Sequence, residues 1–241
     1  MTPEKTSRSV AANLLTSLNA GEVAASVGGG ALAVATRTLG LARAAVKPLH
    51  PEGETRLAVV RRHGSPEPTG VAWLDETGVD DVLVRQSRAV GIPAPLPDIH
   101  GVAIRVPTSD GAVGDLLLAS TGWGRLTRFV LTAGPSAGTR PMTTLLPYRT
   151  DRGPLLIGAR SSGPDAYVLA WTVGAGAWRI FGALELGERV SVEAGDARIS
   201  FDPVQHRLPG LEQYPTVMRL REPAYAGARA TSERSTMRVS A

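Results

Sequence analysis

From Pro48 onward, prolines and glycines recur every few residues, and short runs of aliphatic and β-branched residues sit between them. This punctuation limits the fold more than any other feature of the chain. Arg56 to Arg62 is one such run, followed by Asp81 to Ser87, Val102 to Val106 and Asp115 to Ser120. Later candidates are Pro154 to Ala159, Ala166 to Val173, Arg189 to Glu193 and Arg198 to Phe201. Each is short and bounded by turn formers, as strands are. Many short strands without long helices between them predict an antiparallel barrel or sandwich. A parallel sheet would need crossover helices, and the sequence does not supply them.

The chain has 241 residues, enough for one domain with a decorated edge or a short helical arm. Hydrophobic residues make up 43%, which allows a buried core and argues against global disorder. Cysteine is absent, so disulfides, thiolate metal sites and a cysteine nucleophile are excluded. The formal charge is +4, and nearly all the cations are arginines, Lys5 and Lys47 apart. An excess of arginine reads either as an anionic partner or as a codon bias toward Arg, Ala and Gly. Arg61 and Arg62 are the only adjacent basic pair, and no basic run is interleaved with aromatics, which speaks against nucleic acid. The longest apolar stretch, Val23 to Ala35, is interrupted by Ser26 and by Gly28 to Gly30. It falls short of the ~18 residues a membrane-spanning helix needs. No signal-peptide pattern follows Met1, so a cytoplasmic protein is expected.

Residues 1–47 read as an N-terminal helical arm with a frayed, disordered start. Gly28 to Gly30 break it into two helices, and Leu32, Ala35, Leu39, Ala42 and Val46 share a face of the second. The arm is expected to pack on the domain; its few basic residues and modest amphipathicity argue against membrane contact. Residues 48–235 form the domain and 236–241 a disordered tail. After Pro209 the pattern turns helical, with a start expected at Pro223, where a missing N–H is harmless.

Few motifs carry chemistry. His50, His63, His100 and His206 show no zinc-ligand spacing, and there is no nucleophile elbow or phosphate loop. Asp75 with Glu76, and Asp80 with Asp81, read as polar turns rather than acid/base pairs.

One set of segments resembles the haem-dependent catalases. Val84-Arg85-Gln86-Ser87, then Gly91, then Pro97 to Arg105 (PDIHGVAIR) is similar to VRFS, a glycine, and RDPRGFAVKF of that family. Asp115-Leu116-Leu117 after Asp110-Gly111 is similar to the family's WDLVGNNTP region. Leu49-His50-Pro51-Glu52-Gly53 resembles the VHAKG element of the distal histidine. Ile199 to Pro203 and Leu208 to Glu212 resemble LSFNP and PPGIE, and Arg221 to Tyr225 keeps the proximal RxxxY spacing. The shared order covers roughly 48–229; the N-terminal arm is not covered, and catalases are longer.

The resemblance implies an α+β, mainly β fold: an antiparallel catalase-like β-barrel with flanking helices. It implies haem as cofactor. Tyr225 would ligate the iron, and Arg221 would favour its phenolate. Pro223 between them leaves open whether both lie on one helix. His50 would be the distal acid–base residue, supported by Ser87. Arg85, His100 and Arg229 would face the propionates, His100 replacing the arginine of DPRG. The residues also permit plainer roles: a turn histidine, a buried tyrosine, surface ion pairs. The family's distal asparagine falls on Ala119, which weighs against fast dismutation of hydrogen peroxide. The expected function is therefore peroxidase or organic-hydroperoxide chemistry, with haem or a small hydrophobic ligand as partner. The alternatives are a non-enzymatic catalase-fold protein that has lost haem, and an unrelated β-rich domain. A homo-oligomer is compatible with either.

Overall fold

A computed structural model describes residues 53–89, 95–190, 199 and 201–219. Their strands are β1 (Gly53–His63), β2 (Thr77–Arg88), β3 (His100–Pro107), β4 (Val113–Ser120) and β5 (Met142–Thr143), then β6 (Tyr148–Thr150), β7 (Gly153–Gly163), β8 (Ala166–Val173), β9 (Arg179–Arg189) and β10 (Glu212–Gln213). A short helix, α1 (Ala72–Asp75), joins β1 to β2, and a 3-10 turn spans Thr127–Phe129.

All pairings among these strands are antiparallel. The order β7-β5-β4-β3-β2-β1-β9-β8 closes through a β7–β8 pairing into an eight-stranded barrel, with β6 and β10 extending from β7. Alternation puts one apolar set inside: Ala58 and Val60, Val82 and Val84, Val102, Ile104 and Val106, Leu116 and Leu118, Leu169 and Trp171, and Leu184. Each fully buried Val, Leu or Ile contributes about 1.5–3 kcal/mol over exposure.

One end of the barrel is bolted. Arg62 on β1 donates to Asp80 of β2 through Nε at 2.7 Å and Nη2 at 3.1 Å. Its Nη1 donates to the carbonyls of Trp73 and Glu76, and Trp73 Nε1 donates to Asp80 at 3.0 Å. Asp80 is thus an inward-facing strand residue, not part of a solvated turn as the sequence reading had it. Asp81 beside it is exposed on the same strand. Asp75 does serve a turn: its carboxylate accepts the N–H groups of Thr69 and Gly70.

A second, smaller cluster of Phe129, Leu156 and Trp178 lies outside the barrel wall. Trp123 stacks on Trp178 at 4.1 Å, and both rings sit over Gly158, where a Cβ would come within 2.8 Å of Trp123. Arg128 is buried beneath Trp178, 4.6 Å from its ring, and donates to Gly124, Thr172 and Gly174. Burial pulls its guanidinium below the ordinary arginine range.

Three boundaries differ from the sequence reading. β9 ends at Arg189, where a strand was expected to begin. Ile199 and Phe201 lie outside any strand. A helical segment already begins at Pro215, after the two-residue β10; the start expected at Pro223 lies outside the described residues. The N-terminal arm and the 236–241 tail lie outside the described residues.

Candidate functional site

The end of the barrel opposite the bolt is polar. Inward positions carry valines at Val82 and Val84, then Gln86 and Arg88 as β2 reaches its end. Register places Glu54 opposite Gln86, and His100 opposite Arg88. Gln86 Nε2 donates to the Tyr167 hydroxyl at 3.1 Å. Arg56 donates to the Gly187 carbonyl at 2.9 Å and pairs with Asp165. Arg88 Nη2 donates to the Leu96 carbonyl at 2.9 Å. Its Nε is buried without a hydrogen bond, 3.6 Å from the Asp98 carboxylate. Gly53, Glu54, Gln86, Ser87, Arg88 and His100 line a cavity of about 320 Å³ at this mouth. A cavity of that size suits a small molecule rather than a porphyrin.

Burial raises the Tyr167 phenol above its ordinary value of 10.0, with Asp165 acting in the same direction. The unfolded chain therefore loses this proton first as pH rises past 10.0. Stability should fall with pH between that value and the raised one. Urea midpoints measured from pH 9 to 11 should drop less steeply in Tyr167→Phe than in the parent; parallel slopes would show that Tyr167 is not responsible.

His100 is a buried hinge point of this mouth. Its backbone N–H donates to Ser120 Oγ at 3.0 Å, and Ser120 Oγ donates to the Thr132 carbonyl at 2.6 Å. Its Nε2 lies 2.9 Å from the Gly134 carbonyl. A carbonyl can only accept, so Nε2 carries the proton. The ring thereby fastens the 121–141 loop to β3.

The outer face is different. Register aligns Gly53, Ser87, Gly101 and Ala119 in one row across β1 to β4, and the row continues through Thr143 and Gly158. The tryptophan stack covers the far half at Gly158. In the near half no side chain exceeds serine, and all four positions are half-buried. Arg85 lies one step along β2 on the same face. Its guanidinium crosses Gly53, where a Cβ would come within 2.5 Å of Nη2. Ser87 Oγ would be 3.1 Å from a Cβ at Gly101. The result is a strip of small residues bearing one hydroxyl, with the Arg85 guanidinium laid over its Gly53 end.

Of the residues singled out in the sequence, Arg85 and Ser87 share this outer face. His100 points inward, and strand alternation keeps its ring away from Arg85. Its ring is engaged by Gly134, so Arg85 and His100 are not brought together as two contacts of one anionic group. His50, Arg221, Tyr225 and Arg229 lie outside the described residues. Among the described residues, no group of three or more His, Asp or Glu is placed to hold a metal ion. The sequence reading missed Glu54, Gln86, Arg88 and Tyr167. Gln86 and Arg88 were legible, because they continue the inward parity of Val82 and Val84 with polar residues, as Glu54 does that of Ala58 and Val60.

No protein-family model matches this sequence, and no curated protein matches it. Solved structures do. Catalase A from Saccharomyces cerevisiae superposes with a TM-score of 0.58 at 10% identity, over 76% of this chain and 60% of that one. A fungal catalase gives a TM-score of 0.52 at 10% identity, over 70% and 56%. The barrel is catalase-like. The chain spans less than two thirds of either catalase, and identity at this level speaks for the fold alone.

Proposed function

We propose that this catalase-like protein binds haem against the outer face of β1 to β4 and converts peroxides, organic hydroperoxides above all. The observation that carries this reading is the in-register row Gly53, Ser87, Gly101 and Ala119, edged by Arg85. It gives a flat ring system room to approach the barrel wall and places one cation beside it.

Haem, when bound, supplies the iron-centred redox chemistry that peroxide cleavage needs. The chain's own residues would hold and serve it. Tyr225 would ligate the iron, and Arg221 would stabilise its phenolate by charge and hydrogen bonding. Arg85 and Arg229 neutralise propionates. His50 accepts a proton from one peroxide oxygen and returns it to the other. Ser87 would hydrogen-bond the His50 imidazole and hold its orientation. Ala119 offers no amide to a small peroxide, so the substrate must be positioned by its organic part.

The test is expression with added haem precursor. A Soret band at about 400 nm is expected from tyrosinate-ligated haem. Tyr225→Phe should shift or abolish it, and His50→Ala should slow hydroperoxide turnover by about 10²-fold or more with the band retained. A chain that stays colourless with haem in excess would reject haem binding, and with it the enzymatic reading.

A further inference from the structure

A second site lies away from this face, at the bolted end of the barrel, where residues 201–219 pack on β3 and β4. An open pocket of about 950 Å³ is lined there by His206 and Arg207, with Val113, Val204 and Met218 as apolar wall. His206 is held at three points. Its backbone N–H donates to the Asp202 carbonyl at 2.8 Å, and its carbonyl accepts the Asp115 N–H at 2.9 Å. Its Nδ1 lies 2.9 Å from Asp115 Oδ2. Arg105 Nη2, which can only donate, lies farther from the same nitrogen at 3.2 Å, so the nearer carboxylate oxygen takes the Nδ1 proton and fixes the orientation of the ring.

Asp115 is itself fixed. Its side chain is fully buried and accepts from Arg105 Nε at 2.8 Å, Arg105 Nη2 at 2.7 Å and the Asp202 N–H at 2.7 Å. The Phe201 ring backs Arg105 at 4.9 Å. The Nδ1 edge of His206 thus faces the protein interior. Its side chain is 36% exposed, so the Nε2 edge faces the pocket. Arg207 beside it spends Nε on the Val204 carbonyl at 2.9 Å, which directs the rest of its guanidinium outward.

We infer that this pocket binds a small phosphate monoester: the phosphoryl group between His206 Nε2 and Arg207, the organic part against Val113, Val204 and Met218. A neutral ring presents Nε2 as an acceptor, and a singly ionised phosphate has an O–H to donate to it. A charged ring presents Nε2–H, and a phosphate oxygen accepts it. A simple carboxylate matches only the second state. Phosphate loses its second proton near pH 6, so both forms coexist around neutrality. An arginine beside the imidazole complements the remaining negative oxygens. A histidine anchored by backbone and carboxylate needs no reorganisation to receive the ligand.

The test follows the imidazole C–H signals of the full chain by NMR during titration with phenyl phosphate, with inorganic phosphate and benzoate as separate probes. One histidine should shift saturably with phenyl phosphate, and that signal should vanish in His206→Gln. Arg207 is exposed, so Arg207→Leu should fold normally and weaken the apparent affinity about tenfold or more. Inorganic phosphate, lacking the apolar part, should bind the same residue more weakly. No saturable shift at His206, an unchanged affinity in Arg207→Leu, or an equal response to benzoate would each overturn the assignment. None of these readouts depends on haem.

Discussion

Asp115→Ala is expected to destabilise the fold by about 3–5 kcal/mol, the cost of removing one partner from a buried ion pair. The carboxylate has no exposure, and it joins three parts of the chain. Arg105 comes from β3, while Asp202 and His206 come from the segment that packs below the barrel. Without Asp115, the Arg105 guanidinium keeps the Phe201 ring as a neighbour but loses both charged hydrogen bonds. The Asp202 N–H and the His206 ring are left without their acceptor as well. Urea denaturation followed by tryptophan fluorescence measures the loss. A drop under 1 kcal/mol would mean that water replaces the carboxylate freely and that the cluster is not a buried one. Arg105→Met should be less harmful in the Asp115→Ala background than in the parent, because its partner is already gone.

Trp171→Ala should cost a similar amount, about 3–5 kcal/mol, by a different route. Trp171 is 1% exposed and among the largest fully buried side chains. Its indole fills the barrel near the bolted end, Nε1 donates to Ser65 Oγ at 2.9 Å, and Arg179 lies 5.2 Å from its ring. Truncation leaves a cavity that paired strands cannot collapse to fill. Trp171→Phe keeps most of the volume and gives up chiefly the hydrogen bond, so it should recover more than half of the loss. The same denaturation curves separate the two variants. If both fell equally, the indole N–H and not the packing would be the larger contribution.

Much of the barrel was legible in the sequence, for a local reason. The runs at Arg56, Asp81, Val102, Asp115, Pro154 and Ala166 became β1 to β4, β7 and β8, because alternation and flanking turn formers act within a few residues. β9 was not seen, since Gly182, Gly187 and its charged residues blur the alternation in RIFGALELGER. β5, β6 and β10 are two or three residues long and form only because longer strands present them with open edges. Asp80 was misread because its partner Arg62 is 18 positions away, across the β1–β2 connection. On the candidate site, Arg85 and Ser87 were found and do share a face. His100 was read, with Arg85, as a propionate contact, and the strand's two-residue period turns its side chain inward, away from Arg85. The Asp115–His206 contact spans 91 positions and leaves no local signal at all.

Ring closure also limits how copies of this chain could meet. Most strands of the ring are bonded along both flanks, β4 meeting β5 only at Ala119 and Ser120, so another molecule has little open edge on which to add its own strand. Among the described residues, the outermost strand is β10, two residues long, and its Glu212 is engaged by Arg149. An assembly built from these residues would therefore draw chiefly on side-chain surfaces. Its geometry will be set by shape and charge, not by the repeat of the backbone.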